Sequence, residues 1–258
     1  MKIAVCVKQI PDPSAPQKLD ASYNLARDGK LVMDESDSYG VEMALQLVDK
    51  AGAGEVVLFS MAPRNEVSGL RNALAMGAAR GVLISDDALA GADALSTAKV
   101  LAAAIGRESF DLVIAATESS DGYTGTMPVQ LAELLDLASV TFAKKVEIEG
   151  SRVVVSRQTE AGFDEVEAPL PALVSVTAGV VEPRYPSFKG IMSAKSKPIE
   201  ILSLSDLSLK GGSLEGIGAH QEVTSVRASP VRSAGTVVVD TGDAYVRVIE
   251  FLEQLKLV

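Results

Sequence analysis

The sequence predicts an α/β fold with a doubly wound, mostly parallel sheet, to which antiparallel strands and an extended C-terminal arm are added. Two observations support this fold class. Short runs rich in Val, Ile and Leu alternate with stretches whose apolar residues recur at helical spacing through the first half of the chain. These short runs are continuously apolar, which is typical of parallel strands that helices cover on both faces. The 258 residues, 47% of them hydrophobic, suffice for a substantial core.

The predicted elements of the first half follow one another in strand–helix order. Strands are predicted at residues 2–10, 55–61, 80–85 and 111–117, and helices at residues 38–51, 66–78, 93–106 and 126–137. Because parallel strands joined by helices form crossover units of one hand, this order builds a doubly wound sheet.

The pattern changes after residue 137. Alternation of period two in VEIEG and SRVVVSR indicates antiparallel hairpin strands, with a turn from Glu149 to Arg152. PALVSVTAG then predicts another buried strand. From residue 182 the chain is less regular until 242–258, where apolar residues recur at spacings of three and four and predict a helix. Its stripe would lie on this domain or on another polypeptide, and comprises Tyr245, Val248, Ile249, Leu252 and Leu255.

Composition excludes several classes of function. Cys6 is the only cysteine and His220 the only histidine, which excludes disulfides, cysteine-rich zinc sites and histidine-based catalytic triads within this chain. We expect Cys6 to be a buried thiol in a strand and His220 to be a solvated side chain in a glycine-rich loop. The formal charge of −10 and the aromatic content of 4% argue against nucleic-acid binding. No apolar run is long enough to span a membrane, so we expect a cytoplasmic protein.

The turn SSDGYTGTMP, residues 119–128, has the composition of a phosphate-binding loop. Ligands of open parallel sheets bind beyond the carboxyl ends of the strands, and this turn connects a predicted strand to a predicted helix. Its glycines permit close backbone approach, its Ser and Thr hydroxyls can donate hydrogen bonds, and a helix N-terminus follows. A threonine that caps the helix is the alternative. A magnesium site at Asp34, Asp37 and Asp121 is a further interpretation, although such carboxylates more often cap helices or accept from a nucleotide.

A second unusual segment is EPRYPSFKGIMSAKSKPI, residues 182–199. Between Arg184 and Lys197 it carries four cations and no carboxylate, together with apolar side chains, in an otherwise acidic chain. An apolar anchor surrounded by charge is typical of a transient docking site. A solvated loop with a tucked phenylalanine is the alternative that composition leaves open.

Several segments together resemble the β subunit of electron-transfer flavoprotein. They are residues 5–12 (VCVKQIPD), 70–78 (LRNALAMGA), 117–125 (TESSDGYTG), 157–177 (R-x-x-E-x-G followed by EAPLPALVSVT) and 182–199. The resemblance covers the chain to about residue 207. The last two segments match the signature region of the family in order and spacing.

The resemblance implies an electron carrier without catalytic residues of its own. Residues 1–183 would form a Rossmann-like nucleotide-binding domain with a buried AMP, and residues 184–258 a recognition loop and an arm that embraces an α subunit. That α subunit would carry most of the FAD site. The complex would accept electrons from dehydrogenases, typically acyl-CoA dehydrogenases, and pass them to a membrane quinone oxidoreductase.

The resemblance also assigns site residues. The AMP site would comprise Cys6, Val7, Lys8, Asp34, Asp37, Met61, Asp121, Gly122, Tyr123, Thr124, Gly125 and Thr126. The flavin ring would approach near residues 11–13 and Ser36, where mitochondrial-type members carry aromatic residues in place of Pro13 and Ser36. The docking residues would be Tyr185, Phe188, Lys189, Ile191, Met192 and Lys195, with Phe188 as the apolar anchor.

Two other functions stay open at this point. Some members of the family are electron-bifurcating and bind a second FAD in place of AMP; their loop resembles QAIDGDTAQ, of which this chain shares the Asp-Gly and the following Thr. Outside the family, a stand-alone nucleotide-binding regulatory protein, akin to universal-stress domains, would explain the α/β half but not residues 182–199. An enzyme that acts alone is disfavoured, because the chain shows no acid–base pair or nucleophile constellation.

Overall fold

The structure is a computed structural model and describes residues 1–208, 218, 220, 222–227, 229–230 and 235–258. The chain divides into two units, residues 1–224 and 225–258. The glycine-rich loop predicted around His220 lies mostly outside the described residues. The functional division into residues 1–183 and 184–258 stays a prediction.

Eleven strands and six α-helices are described. In chain order they are β1 (Lys2–Cys6), β2 (Gln9–Pro11), β3 (Leu31–Met33), α1 (Glu35–Ala51), β4 (Glu55–Met61), α2 (Ser68–Met76), β5 (Arg80–Ile84), α3 (Ala94–Ile105), β6 (Leu112–Ala116), α4 (Met127–Leu135), β7 (Ala138–Glu149), β8 (Arg152–Thr159), β9 (Gly162–Pro169), β10 (Ala172–Val176), α5 (Phe188–Ala194), β11 (Ile199–Leu202) and α6 (Ala244–Gln254).

A nine-stranded sheet with the order β11-β5-β4-β1-β6-β10-β7-β8-β9 organises the first unit. Its strands from β11 to β7 pair in parallel. The hairpins β7–β8 and β8–β9 are antiparallel, and Glu149 pairs with Arg152 at the first of them. The α/β fold class, the antiparallel additions and the turn at residues 149–152 are therefore confirmed.

Alternate side chains of the buried strands fill two cores, one on each face of the sheet. On β1, Ile3 and Val5 join a cluster that α1 and α2 cover, whereas Ala4 and Cys6 join a cluster that α3 and α4 cover. This two-sided burial explains why the strands read as continuous apolar runs. The Cys6 thiol is only 4% exposed, which confirms the prediction of a buried cysteine.

Local signals explain where the longest helix begins and ends. The carboxylate of Asp34 accepts a hydrogen bond from the backbone N–H of Ser36 and thereby caps α1. Gly52 follows α1 with a left-handed φ of 76°, a conformation that glycine adopts without a steric penalty. Asp34 thus serves as an N-cap on the helix that enters the candidate site.

One predicted strand needs correction, and two strands, β3 and β11, were not predicted. The strand predicted at residues 2–10 is wrong as one element, because β1 ends at Cys6 and β2 pairs with β3 in a separate two-stranded antiparallel sheet. β3 was not predicted, because its three residues are too few to show a period. β11 was also not predicted, although it pairs in parallel with β5 at the edge of the large sheet.

The second unit contains α6, which confirms the helix predicted near the C-terminus. Apolar side chains of this helix are exposed, among them Tyr245, Val248, Ile249 and Phe251. Within the described part of the chain, no helix has both the length and the apolar character that crossing a bilayer requires.

Candidate functional site

The candidate site lies where the direction of the sheet reverses. The chain passes from β1 to β4 and β5 on one side, and β6 then pairs with β1 on its other side. In open α/β sheets this reversal opens a crevice beyond the carboxyl ends of the two central strands. The segments that follow β1 and β6 are therefore the place where a ligand is expected.

Lys8 and Asp121 join these two segments. The Nζ of Lys8 donates to Asp121 Oδ1 at 2.6 Å and to Ser119 Oγ at 3.0 Å. The guanidinium of Arg27, from the loop between β2 and β3, donates to the other Asp121 oxygen and to the Gln9 carbonyl. The Asp121 side chain is 6% exposed, whereas those of Lys8 and Arg27 are 40% and 30% exposed. One buried carboxylate therefore holds two cations that solvent still reaches.

The start of α1 fixes the backbone on both sides of the crevice. Asp37 accepts a hydrogen bond from the Lys8 backbone N–H at 2.6 Å, and the Lys8 carbonyl accepts one from the Asp34 N–H. The Asp34 carboxylate also accepts from the backbone N–H and the hydroxyl of Ser120, at 2.7 and 3.0 Å. One helix terminus thus positions the segment after β1 and the loop after β6.

Burial and neighbouring charge set the protonation of these carboxylates. Burial raises the pKa of Asp37 well above its ordinary value, and the nearby Asp34 adds to the effect against the Lys8 backbone hydrogen bond. Burial also opposes ionisation of Asp121, but hydrogen bonds and charges from Lys8 and Arg27 outweigh it, so the pKa of Asp121 is lowered. The site thus combines one carboxyl group with a raised pKa and one carboxylate with a lowered pKa.

The hydroxyls of the loop at residues 119–126 are not used to cap α4. Thr126 occupies the N-cap position, but its side chain makes no capping hydrogen bond. Within the described residues, the hydroxyls of Thr124 and Thr126 have no hydrogen-bond partner, and both residues are exposed. The capping alternative is therefore wrong, and these hydroxyls stay available to a ligand.

The remaining residues of the predicted AMP site differ in burial and in position. The Cys6 and Val7 side chains are buried in opposite cores, so only their backbone borders the crevice. Burial, reinforced by Asp37, raises the pKa of Cys6 to about 12. Met61 ends β4 on the far side of β1 from β6. Tyr123 is 69% exposed in the left-handed region, at a φ of 48°.

The two glycines of the loop serve different purposes, one for close approach and one for backbone conformation. A Cβ at Gly122 would lie 3.3 Å from Ser119 Oγ and 3.6 Å from Lys8 Nζ. Gly125 has a φ of 67°, which an L side chain rarely adopts.

Three or more metal-ligating side chains do not converge anywhere in the described part of the chain. Asp34, Asp37 and Asp121 all border the crevice, and their oxygens accept from backbone N–H groups, Ser120, Lys8 and Arg27. These donors and the two cationic side chains offset the repulsion among the three carboxylates.

The predicted docking residues lie together on a short exposed segment. α5 begins at Phe188, and the hydroxyl of Ser187 accepts from the Gly190 N–H at 3.0 Å. Tyr185 and Phe188 are 93% and 81% exposed. Lys189, Ile191, Met192 and Lys195 are exposed as well. The alternative of a tucked phenylalanine is wrong.

Ion pairs and helix-end contacts hold this segment at both ends. The Arg184 guanidinium donates to the buried Glu42 on α1, with Nε to Oε2 at 2.7 Å, and also to Asp49. Lys197 donates to the carbonyls of Leu74 and Ala78 at the end of α2, at 2.9 and 2.6 Å. Two of the four cations are therefore structural, and Lys189 and Lys195 remain to face solvent.

α5 also lies directly against α2. A Cβ added at Gly190 would meet the Ala75 carbonyl oxygen at 2.4 Å. Arg71 of α2 donates to the carbonyls of Ala194 and Lys197, the second at 2.7 Å. These contacts with α2 fix the position of α5, which carries the exposed side chains.

Sequence reasoning missed Arg27 and the role of Ser120. A lone arginine in a polar loop between two three-residue strands gives no signal in the sequence. Ser120 was noted only as one of several hydroxyls, whereas its hydrogen bonds to Asp34 tie the loop to α1.

Comparison with known proteins supports the same family. The family model described as electron transfer flavoprotein domain matches residues 23–207. The electron transfer flavoprotein subunit beta of Mycobacterium tuberculosis is 36% identical over 263 residues, which cover 99% of each chain. That of Thermoanaerobacterium thermosaccharolyticum is 35% identical and covers 99% of this chain and 98% of its own.

A third relative has a more specific name. The caffeyl-CoA reductase-Etf complex subunit CarD of Acetobacterium woodii is 34% identical over 246 residues, which cover 93% of each chain. The similarity to these relatives extends over nearly the whole chain, and it therefore includes the crevice and the exposed segment at residues 184–197. The chain therefore belongs to the electron transfer flavoprotein family, as a beta subunit.

Proposed function

We propose that this chain pairs with an electron transfer flavoprotein α subunit and carries electrons, in the cytoplasm, from dehydrogenases to a quinone oxidoreductase. The similarity to beta subunits over the full chain is the observation that carries the proposal. The exposed segment of α5 supports it, because Phe188, Ile191 and Met192 would be costly to leave in water without a partner. Acyl-CoA dehydrogenases are the donors that we expect.

AMP is the nucleotide that we propose for the crevice. The unused hydroxyls of Thr124 and Thr126, the N-terminus of α4, and the cations Lys8 and Arg27 form a set of donors for a phosphate. Gly122 keeps a Cβ out of the space beside Ser119 Oγ and Lys8 Nζ, so its backbone can approach a phosphate. These features fit a nucleotide phosphate better than a metal ion, because the crevice carboxylates are already engaged.

FAD is the proposed shared cofactor, and it supplies the electron-transfer chemistry when bound. We propose that the α subunit holds most of it, and that residues 11–13 and Ser36 border the ring from this side. Pro13 and Ser36 offer no aromatic face. Their contribution would be to exclude water from the ring and orient it rather than to stack on it.

A second FAD in place of AMP is the alternative within the family. The relative from Acetobacterium woodii belongs, by its name, to a complex with a caffeyl-CoA reductase, so the family includes assemblies with a reductase. The loop at residues 117–125 would bind the phosphate of either nucleotide.

Released nucleotides test the proposal directly. The chain is co-expressed with an electron transfer flavoprotein α subunit from the same genome, the complex is purified and denatured, and FAD and AMP are quantified by chromatography. One FAD and one AMP per heterodimer are expected. Two FAD and no AMP would replace the AMP proposal with the second-flavin alternative. A chain that forms no complex with the α subunit and binds neither nucleotide would refute the proposed function.

A further inference from the structure

A cleft of about 680 Å³ opens beside the crevice. Its lining includes none of the crevice residues Lys8, Arg27 and Asp121. Its walls come from the ends of β6, β8 and β10, from β7 and from the start of α1. The lining residues that matter here are Ser36, Glu118, Phe142, Arg157 and Glu160. Two of them have features that the fold of the isolated chain does not explain.

Arg157 is the first of these residues. It is half-buried near the end of β8, and its Nε is buried without a hydrogen-bond partner. Within the described part of the chain its guanidinium forms no ion pair or hydrogen bond, although Glu118 and Glu160 line the same cleft. A buried donor without an acceptor costs free energy that an incoming oxyanion would recover.

Phe142 is the second. It lies on β7 next to a register shift and adopts a φ of 59°, a region that is unfavourable for a bulky L residue. The backbone N–H of Phe142 donates to the Ser175 hydroxyl at 3.2 Å, and its side chain is still 43% exposed. Backbone strain that presents an aromatic ring to solvent is typical of binding sites.

The cleft favours a single carboxylate over a phosphate. The hydroxyls of Thr117 and Thr177 donate to the carbonyls of Val176 and Ala143, so they are not available to a phosphate. Two carboxylates, Glu118 and Glu160, border the cleft and would repel a dianionic phosphate about twice as strongly as a single carboxylate. The guanidinium presents a planar fork that matches one carboxylate, and the neighbouring ring offers apolar contact.

We propose that Arg157 and Phe142 form a hot spot for the α subunit, in which Arg157 binds an Asp or Glu side chain of that subunit. Arg and aromatic residues are the types that most often dominate the energy of protein interfaces. The position of the cleft at the carboxyl ends of β6 and β10, beside Ser36, places this contact next to the nucleotide crevice. The inference rests on the proposed function, since it requires the α subunit.

The test measures the affinity of the α subunit for Arg157→Gln, Phe142→Ala and a control. Arg152→Gln is the matched control, because Arg152 lies at the other end of β8 and pairs with Glu149 and Glu167 at 2.9 and 3.1 Å. We expect the dissociation constant to rise at least about tenfold for Arg157→Gln and Phe142→Ala, and to change less than about threefold for Arg152→Gln. Urea unfolding of each isolated chain verifies that the variants fold.

A charge-reversal experiment then identifies the acceptor. Arg157→Glu is combined with reversals of single Asp or Glu residues of the α subunit, and one combination should restore affinity. A wild-type chain that does not bind the α subunit would refute the proposed function itself. Wild-type binding that Arg157→Gln leaves unchanged would overturn only this inference. A variant that keeps the α subunit but loses nucleotide would also overturn it, since Arg157 would then bind a phosphate.

Discussion

The ammonium group of Lys8 lies 2.6 Å from the carboxylate of Asp121, although 113 positions separate the two residues in the chain. The contact spans the crevice between the ends of β1 and β6, and Arg27 completes it from the loop between β2 and β3. Because one carboxylate serves two cations, its removal would leave both without their anionic partner. The pair therefore offers the most direct test of the site.

Asp121→Asn should destabilise the chain by about 1–3 kcal/mol, because a buried carboxylate with two charged partners is lost. Urea unfolding at neutral pH measures the change. Arg107→Gln is the control, since its pair with Glu200 at 2.8 Å is exposed and should contribute less than about 1 kcal/mol. Equal effects of the two substitutions would show that the crevice pair contributes no more than a surface pair.

Asp37→Asn should remove the contribution of Asp37 to the pH dependence of the free energy of unfolding. Because the folded pKa of Asp37 is raised, the folded chain binds more protons than the unfolded chain between about pH 3.9 and the folded pKa. The wild type therefore loses stability from this group as pH rises through that window, by at most about 1.4 kcal/mol per pH unit.

The variant removes this loss, so its free energy of unfolding relative to the wild type should increase with pH and then become constant. Urea unfolding at several pH values from 4 to 8 measures the difference. A difference that stays flat, or decreases with pH, would contradict the raised pKa.

Thr124→Val and Thr126→Val should lower the nucleotide content of the complex without destabilising α4. Thr126 makes no capping hydrogen bond, so the usual loss of about 1 kcal/mol for a removed cap should not occur. Chromatography of the released nucleotide and urea unfolding are measured on the same preparations. A destabilised chain with full nucleotide content would restore the capping role and exclude the phosphate role.

Phe188→Ala should weaken docking of a dehydrogenase by about one to two orders of magnitude, because burying a phenylalanine contributes roughly 1.5–3 kcal/mol. Nucleotide content and stability should not change, since Phe188 is 81% exposed. Steady-state electron transfer at varied carrier concentration gives the measurement. Phe163→Ala, 66% exposed on β9, is the matched control and should have no effect. Unchanged transfer in Phe188→Ala would refute the docking assignment.

Gly190→Ala should displace α5 from α2, because the new Cβ would lie 2.4 Å from the Ala75 carbonyl oxygen. The clash should cost about 1–3 kcal/mol and should weaken docking through the displaced Phe188. Gly29→Ala is the control, because a Cβ there meets no atom within 4 Å. Thermal unfolding and the docking assay are the measurements. Wild-type behaviour of both glycine variants would contradict the packing argument.

The sequence predicts the elements in which burial follows a regular pattern along the chain, either continuous or alternating. β4 and β6 are buried for most or all of their length and show as apolar runs, and the turn at Glu149–Arg152 lies between two alternating strands. β3 and β11 have three and four residues, and most of them are half-buried or exposed. These two segments are strands because they pair with distant segments of the chain, and no local sequence pattern indicates that pairing.

The candidate site shows the same limit. Lys8 and Asp121 could be placed by resemblance and by their position after strands, but the arginine that joins them comes from an irregular loop. The segment at residues 184–197 was recognised by its charge. Only the contacts of Arg184 with Glu42 and of Lys197 with α2 show which of its cations hold the segment and which face solvent.

α1 contacts both the crevice and the exposed segment at residues 184–197. Its N-terminus holds the crevice through Asp34 and Asp37, and Glu42 and Asp49 farther along hold Arg184 of that segment. A helix of 17 residues is a stiff rod about 25 Å long. The spacing between the crevice and the segment at residues 184–197 is then set by regular secondary structure, and loops on either side can vary in sequence without changing it.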